Sequence, residues 1–379
     1  MIYPIGDATI EELTGDSHPL LARLRATEPV SWVPVLDGWL VTARAAALEV
    51  LRDPATFTVD DPRFSTAQVI GPSMLSLDGP GHTRQRDPFA RPFRPAQTRA
   101  QFTGIVEQTV DRMIEDLRPQ GGAELRKEFA GPLAVAITAA ALGLAGVTPD
   151  TVRSWYDAFV TAISDITAGR PATPTGAYEA LAEHVAAATA LPGTLPELAA
   201  QTLTLPEVTA NTAVLMFGGI DTTEGMIANA ALHLLSHPAE LAAVREDPSL
   251  LPNAIEESLR FEPAAAVVDR YATRDAELAG AVIRRGDLVR VSLTGANRDP
   301  AVFADPDRFD VRRANAADHL AFAHGPHFCF GAHLARLETL TALGALLELP
   351  GLRLDPDRPA APEGLVFRKP PALHTLWTV

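Results

Sequence analysis

Apolar residues recur every three or four positions along most of the chain, the spacing that gives an α-helix one buried face. This period predicts helices over residues 44–51, 106–117, 132–144, 149–166, 177–190 and 252–260. Four shorter segments predict strands, at residues 30–33, 39–42, 271–273 and 288–293, and Asp37-Gly38 is a favoured hairpin turn between the first two. Residues 57–73 are predicted to be irregular. The pattern therefore predicts a mainly α protein with a small β region.

The longest helical run begins at residues 204–207, a Thr-Leu-Pro-Glu sequence with the form of a capping box, and continues to about residue 235. At about 1.5 Å per residue this helix is roughly 45 Å long, enough to cross the molecule. Gly218 and Gly219 interrupt it, and each costs about 1 kcal/mol relative to alanine. A glycine pair alone is typical of close helix packing. Asp221 and Thr222 follow directly, however, and polar groups in an apolar stretch are costly to bury unless they have a use.

The charge of the chain restricts its partners. Its 379 residues carry a formal net charge of −15 with a pI near 5.1, which argues against nucleic acid or an anionic membrane as the main partner. The amino terminus lacks the basic region and apolar core of a signal peptide, and the longest apolar run, residues 132–147, is shorter than a bilayer span. We find no repeat and no domain linker. We therefore expect a cytoplasmic enzyme with one domain over residues 1–379.

The only cysteine, Cys329, lies in a loop over residues 321–331 that is rich in glycine and aromatic residues. A single cysteine cannot form an internal disulfide, so its use is in packing or as a thiolate. Gly325 and Gly331 flank it, and residues 332–340 are a strong helix-forming run. The positive end of that helix dipole favours the thiolate.

Three interpretations fit this loop. In the simplest, Cys329 is a small buried apolar residue. In the second, a zinc ion binds a cluster within ten residues that consists of His324, His327, Cys329 and His333. We favour the third, a haem site, because aromatic residues alternate with the polar ones, as a flat apolar ligand requires. These aromatic residues are Phe322, Phe328 and Phe330.

The segment from Phe322 to Gly331 resembles the haem-binding loop of the cytochrome P-450 superfamily in the order and spacing of its phenylalanine, glycines, histidine and cysteine. Two departures are small, since Ala323 stands where a second glycine is common and Pro326 precedes the histidine. The resemblance implies a single-domain fold with heme b between the long central helix and the cysteine loop. It also implies that Cys329 is the axial iron ligand and that the loop residues in contact with the cofactor are Phe322, Gly325, His327 and Gly331.

Two further segments match the superfamily in the expected order. His82 and Arg86, four apart on one helix face, resemble the pair that binds the haem propionates, and the resemblance gives Arg270 and His327 the same role. In the central helix, the resemblance implies that the two glycines open a groove for dioxygen. It also implies that the catalytic residues are Asp221 and Thr222, an acid–threonine pair that relays protons.

The resemblance also covers the side of the molecule behind the cysteine, called the proximal side below. Glu257 and Arg260 lie three apart on one helix and resemble a buried ion pair that stabilises this side. On the opposite, distal side, residues 168–176 are expected to form a lid over the substrate and residues 365–379 a terminal hairpin whose turn touches it. The residues expected to form an apolar substrate pocket are Val214, Phe217, Gly218, Val267 and Val268.

The function implied is a monooxygenase that uses dioxygen to hydroxylate or epoxidise a small to medium organic substrate, in secondary metabolism. Ferredoxin with ferredoxin reductase are the expected electron donors. An acidic partner of this kind suits the arginine cluster after His82, formed by Arg84, Arg91, Arg94 and Arg99. Two alternatives stay open, oxidative coupling or desaturation on the same scaffold and a haem-thiolate sensor without catalysis. Asp221 and Thr222 argue against the sensor, because a sensor needs no proton relay.

Overall fold

The computed structural model of the protein describes residues 8–144, 146–167, 170–171 and 176–379. Helices dominate these residues, as the spacing of apolar positions predicts. They are α1 (Ile10–Thr14), α2 (His18–Thr27), α3 (Arg44–Arg52), α4 (Ser65–Ile70), α5 (Gly79–Ala90), α6 (Pro95–Leu117), α7 (Gly131–Ala141), α8 (Pro149–Thr167), α9 (Ala177–Ala188), α10 (Leu195–Ala200), α11 (Leu205–Ser236), α12 (Pro238–Glu246), α13 (Leu251–Phe261), α14 (Leu293–Ala296) and α15 (Ala332–Leu347).

The strands form small sheets. They are β1 (Val30–Val33), β2 (Gly38–Val41), β3 (Phe57–Thr58), β4 (Gly122–Glu124), β5 (Val267–Ala272), β6 (Ala276–Leu278), β7 (Ala281–Ile283), β8 (Leu288–Ser292), β9 (Arg353–Leu354) and β10 (His374–Leu376). The largest sheet has the order β1-β2-β8-β5-β3, and its β2–β8 pair is parallel. The other sheets have the orders β4-β10-β9 and β6-β7. The prediction of a mainly α protein with a small β region is confirmed.

The helix α11 runs through the centre of the molecule. At about 1.5 Å per residue its 32 residues extend about 48 Å, close to the expected length. The Glu207 carboxylate accepts a hydrogen bond from the Thr204 N–H at 2.9 Å, as expected of a capping box. The helix packs against α7, α9, α13 and α15. Because its neighbours cover it on several sides, α11 is apolar around most of its circumference.

Three expectations for local structure are wrong. Residues 57–73 are not irregular throughout, since they contain β3 and α4. The first of these forms only because Phe57 pairs with Ala272, which lies far along the chain. The strand expected near residue 271 begins at Val267. The terminal segment is not a hairpin within residues 365–379, because β10 pairs with β4 and β9 instead, and the turn lies earlier, between Glu363 and Lys369.

The expected lid over the substrate falls largely on residues 168–169 and 172–175, which lie outside the described residues. Among the helices that the structure describes, none combines the length and the apolar character needed to cross a membrane.

Candidate active site

A cavity lies between α11 and the loop that precedes α15, and its walls are mainly apolar. The helix α11 contributes Val214, Leu215, Gly218, Gly219, Thr222, Thr223 and Met226. The loop contributes Phe322, Ala323, His327, Cys329, Phe330 and Gly331. Other elements contribute Met74, Leu75, Arg86, Phe93, Val268 and Glu338. The structure therefore brings the cysteine loop opposite the glycine pair of the central helix.

The two glycines of α11 have different surroundings. A Cβ atom at Gly219 would lie 2.7 Å from the Thr138 hydroxyl on α7, so this glycine allows close helix packing. At Gly218 an added Cβ would meet no described atom within 4 Å, because the position faces the cavity. Gly219 therefore serves close helix packing, whereas Gly218 leaves an open groove at the cavity.

Cys329 is exposed on the cavity wall, where the loop leads into α15. Its N–H donates to the Phe322 carbonyl at 2.9 Å, which closes the loop on itself. Although the residue opens onto the cavity, the protein atoms around its sulfur remove water and raise the pKa of the Cys329 thiol, while the N–H groups of Gly331 and Ala332 and the charge of Arg86 act in the opposite direction. The start of α15 thus favours the thiolate as expected, and the loss of water around the sulfur opposes it.

Two residues of the cysteine loop have left-handed backbone conformations. Gly325 has φ +72°, and a Cβ there would lie 2.3 Å from the Leu51 carbonyl of α3. This glycine borders α3 and is not part of the cavity wall. Ala323 has φ +58°, a conformation that costs a residue with a Cβ about 1–2 kcal/mol. That strain explains why glycine is common at this position in the superfamily that the loop resembles.

A group of cationic and imidazole side chains lies at one end of the cavity. The rings of His82 and His327 are 4.4 Å apart, and His327 Nε2 is 2.8 Å from the Asp78 carboxylate. Burial, with the nearby charges of His327 and Arg86, lowers the pKa of His82 to about 4. Burial also lowers the pKa of Arg270 to about 10, with Asp78 opposing it.

Asp78 is a member of this group that the sequence did not single out. Burial opposes its ionisation, but hydrogen bonds from His327, Thr58 and the Val59 N–H lower its pKa to about 2. The residue immediately precedes α5, which carries His82 and is therefore close to His327 once the cysteine loop packs against α5. The sequence places Asp78 shortly before His82 and Arg86, but nothing in the sequence indicates its contact with His327.

The proximal side contains a compact charged network. Arg260 makes two hydrogen bonds to Glu257, at 2.7 and 2.8 Å, and both side chains are completely buried. Arg313 joins the same carboxylate at 3.0 Å. The residue directly before Glu257, Glu256, binds Arg336 of α15 at 2.6 and 2.7 Å. These contacts fix α13 against the helix that begins behind Cys329.

On the distal side, α11 carries two acids one turn apart that share a partner. Lys369 donates to Asp221 and, at 2.8 Å, to Glu224. Glu224 is almost completely buried and also accepts from Arg126 and Arg153. Asp221 does not border the main cavity; it borders a second, more open pocket beside Arg126 and Lys369. The sequence showed Asp221, but it gave no sign of Glu224 or Lys369.

The two threonines after Asp221 both border the cavity. Thr222 Oγ1 donates to the Gly218 carbonyl one turn earlier at 2.5 Å, so the hydroxyl lies beside the open groove. Thr223 is more deeply buried than Thr222 and also lines the wall. Because consecutive residues of an α-helix lie about 100° apart, the two side chains leave α11 in different directions.

Residues 193–376 match the family model for cytochrome P-450. The cytochrome P-450 monooxygenase PikC of Streptomyces venezuelae is 37% identical to the chain, over 97% of this chain and 91% of its own length. The chain belongs to the cytochrome P-450 family. Nocardicin C N-oxygenase of Nocardia uniformis subsp. tsuyamanensis is 34% identical over 99% of this chain and 98% of its own. Since its relatives are named monooxygenases, the chain is an oxidoreductase of the monooxygenase type.

A solved structure supports the same assignment. The cytochrome P-450 enzyme CxnD, for C–S bond formation in chuangxinmycin biosynthesis, matches with a TM-score of 0.85 at 29% identity. The match covers 99% of this chain and 97% of that one. The cytochrome P-450 fold therefore extends over nearly all of the described residues.

Proteins of the cytochrome P-450 family carry a haem that a cysteine thiolate holds, and the cavity fits this group. Gly331 of the cysteine loop and Gly218 of α11 both line the cavity, and the absence of a side chain at each leaves room for a flat ligand between the two walls. His82 Nε2 is buried and has no hydrogen-bond partner among the described residues, as expected of a donor that awaits a propionate. Arg86 borders the same cavity.

The zinc interpretation of the cysteine loop is wrong. Within the described ranges, no three His, Cys, Asp or Glu side chains converge where they could hold a metal ion. His324 lies 3.3 Å from Arg52, whereas His327 binds Asp78, so the loop turns these two rings toward different neighbours. Close spacing in sequence does not give convergence here, because a 3₁₀ turn over Gly325–His327 separates them.

Of the five residues expected in the substrate pocket, three line the cavity and two do not. Val214, Gly218 and Val268 line the cavity of this P-450. Phe217 does not line it, because its ring packs against Tyr156 and Phe367 at 6.2 and 5.6 Å between centroids. Val267 does not line it either, because alternate residues of a strand face opposite sides and its neighbour Val268 takes the cavity side.

Glu338 is a further cavity residue that the sequence did not reveal. It lies on α15, and its Oε2 is buried without a hydrogen-bond partner among the described residues. Burial raises the pKa of Glu338 well above its usual value. Only the three-dimensional packing of α15 beneath the cavity distinguishes it from an ordinary surface glutamate.

One member of the arginine cluster after His82 already has a partner within the protein. Arg84 forms an ion pair with Glu207 at the start of α11, so it is not free for a partner protein. Arg91, Arg94 and Arg99 are exposed where α5 leads into α6. The basic surface is therefore smaller than the sequence indicated.

Proposed function

We propose that residues 1–379 form one haem-thiolate monooxygenase domain that inserts one atom of dioxygen into a small to medium organic substrate by hydroxylation or epoxidation. One observation carries this proposal. The only cysteine of the chain lies on one wall of an apolar cavity, and an open glycine and a threonine hydroxyl of the central helix lie on the opposite wall. Cys329 is the axial ligand of heme b in this proposal.

When bound, a haem with a thiolate ligand supplies an oxidant strong enough to take hydrogen from carbon. The protein holds the group through cations at one end of the cavity. The residues assigned to the propionates are His82, Arg86, Arg270 and His327. Phe322 and Phe330 give the loop an apolar surface. Buried carboxylates need such charge partners, and the unpaired His82 nitrogen supports the assignment.

Protons reach the cavity through two side chains in this proposal. The Thr222 hydroxyl is at the open groove and can hold a water there, since its own hydrogen bond goes to the Gly218 carbonyl. Asp221 lies one residue earlier and faces the more open pocket, where it binds Lys369. A carboxylate between solvent and a buried hydroxyl is suited to general acid catalysis.

The substrate is recognised chiefly by shape, because the cavity walls above the cysteine loop are apolar. Val214, Val268 and the side chains of Met74 and Leu75 provide these contacts. The structure named for chuangxinmycin biosynthesis and the relative named a nocardicin C oxygenase favour a substrate from secondary metabolism. Because CxnD is named for C–S bond formation, oxidative coupling is the second candidate reaction, with desaturation as a third.

Ferredoxin with ferredoxin reductase supplies the electrons in this proposal. The exposed arginines Arg91, Arg94 and Arg99 provide a basic surface on an otherwise acidic protein, which supports an acidic donor. We retain a cytoplasmic location as a prediction.

The test is the ratio of product formed to reducing cofactor oxidised in Thr222→Ala, Thr223→Ala and Asp221→Asn. Thr222→Ala is expected to keep substrate binding and oxygen consumption but to lower this ratio severalfold, because more reducing equivalents end as peroxide. Asp221→Asn is expected to slow turnover, because proton supply becomes limiting. Thr223→Ala is the matched control, and we expect a ratio near that of the unmodified protein.

Two outcomes contradict the assignment. A lower ratio in Thr223→Ala alone would transfer the role to the neighbouring hydroxyl. An unchanged ratio in Thr222→Ala together with unchanged turnover in Asp221→Asn would remove the proton relay from this part of α11.

A further inference from the structure

A buried carboxamide on α11 joins three parts of the cavity wall. The Asn211 side chain is completely buried, and its Nδ2 donates to Gln85 Oε1 and to the Glu207 carbonyl, each at 2.7 Å. Its Oδ1 accepts from the Met74 N–H at 2.8 Å. The amide group thus has a partner for both N–H bonds and for its oxygen.

The first element that Asn211 holds is a turn over residues 73–76. Within the turn, the Ser76 N–H donates to the Ser73 carbonyl at 3.0 Å and the Ser73 N–H donates to Ser76 Oγ at 3.1 Å. These bonds fix the shape of the turn, and the bond to Asn211 fixes where it stands. Met74 and Leu75 of this turn border the cavity.

The second element is α5. Gln85 lies on this helix between His82 and Arg86, the residues assigned to the propionates, and is itself almost completely buried. The Asn211–Gln85 bond therefore joins α5 to α11 in the buried interior, beside the more exposed ion pair of Arg84 with Glu207. Asn211, which does not itself line the cavity, thus holds both α5 and the 73–76 turn against α11.

We propose that Asn211 is a positioning residue that sets the size selectivity of the cavity by holding the 73–76 turn and α5 at fixed distances from α11. The site requires two donors and one acceptor at once, which a carboxamide provides and an aspartate or a leucine does not. When the carboxamide is removed, the buried Met74 N–H and the buried Gln85 amide oxygen both lose their hydrogen-bond partner, and the 73–76 turn can move away from α11.

The inference rests on the proposed use of the cavity for haem and substrate, so its test needs one measurement that is independent of haem. Hydrogen exchange of the peptide over residues 71–78 reports directly on the turn. Binding of two imidazoles that ligate haem iron then reports on the cavity. If the haem assignment failed, the second measurement would fail for every variant while the first would still give an answer.

Asn211→Ala is compared with Asn229→Ala, a matched change on the same helix. Asn229 is equally buried, and its Nδ2 donates to the carbonyls of Glu262 and Arg368, which lie outside the cavity lining. We expect exchange in residues 71–78 to be roughly tenfold faster in Asn211→Ala, because the Met74 N–H opens locally. In Asn229→Ala, exchange in residues 71–78 is expected to become faster only to the extent that the whole protein becomes less stable.

The ligand pair is imidazole and 4-phenylimidazole, both measured by the spectral shift of the haem-loaded protein. The Kd of 4-phenylimidazole is expected to rise about fivefold in Asn211→Ala, because the wall is then correctly placed in only a fraction of the molecules. Plain imidazole does not extend to this wall, so its Kd is expected to change by less than about twofold. Asn229→Ala is expected to leave the ratio of the two Kd values unchanged.

Gln85→Met provides a second variant if Asn211→Ala does not fold, because it keeps the volume and removes one of the three bonds. A smaller change of the Kd ratio in the same direction is expected. Equal Kd ratios in the unmodified protein, the Asn211 or Gln85 variant and Asn229→Ala would overturn the proposal. Equal exchange rates in residues 71–78 of Asn211→Ala and Asn229→Ala would also overturn the proposal, since Asn211 would then only stabilise the fold.

Discussion

Behind Cys329, the central ion pair of the proximal side, Arg260 with Glu257, is completely buried, whereas solvent partly reaches the distal ion pair of Lys369 with Asp221. Arg260 and Glu257 have no exposed side-chain surface, and Arg260 also donates to three backbone carbonyls. Lys369 and Asp221 keep 11% and 14% of their side-chain surface exposed. The difference indicates a rigid support behind Cys329, the proposed metal ligand, and a more adaptable contact with solvent on the side proposed for proton entry.

The largest effect that tests this comparison is expected for Arg260→Met. The change leaves the Glu257 carboxylate buried with fewer partners, so we expect a loss of about 3–5 kcal/mol in the free energy of unfolding. Urea denaturation of the haem-loaded protein measures it. A loss below about 1 kcal/mol would mean that the proximal network tolerates relaxation, against the comparison.

A smaller effect is expected for the matched change on the distal side, Lys369→Met. Glu224 keeps Arg126 and Arg153, and Asp221 stays near solvent, so we expect a loss of about 1–2 kcal/mol by the same measurement. Equal losses in the two variants would erase the difference between the two sides.

These two pairs also show what the sequence could and could not reveal. Glu257 and Arg260 are three residues apart, so helical geometry alone brings them together, and a short motif predicts the contact. Asp221 and Lys369 are 148 positions apart, and no local pattern indicates that they meet. The same reason explains why Asp78 and Glu224 were missed and why Phe217, on the correct helix, was assigned to the wrong side of it.

The same limit applies to the fold, because the sequence predicts elements that form through local contacts. Helices appeared in the period of apolar residues because each buries one face, and α11 was found with nearly its full length. The two-residue strand β3 was not found, because it forms only through its pairing with the distant β5. The terminal segment was misread for that reason, since β10 pairs with two strands outside it.

The smallest effect concerns the backbone of the cysteine loop. Ala323→Gly is expected to raise the free energy of unfolding by roughly 0.5–1 kcal/mol, because glycine adopts φ +58° without strain but gains more freedom in the unfolded chain. Thermal unfolding of the two proteins measures this gain. A lower stability would show that the left-handed alanine is not a strained position and that the proximal support lies elsewhere.

The most direct test of the central claim is the spectrum of the reduced, haem-loaded protein under carbon monoxide, with and without Cys329→Ser. If Cys329 is the axial ligand, the unmodified protein will show the strongly red-shifted Soret band of a thiolate-bound haem, and the serine variant will lose it. Retention of that band in Cys329→Ser, or purification of the unmodified protein with zinc and no haem, would contradict the account.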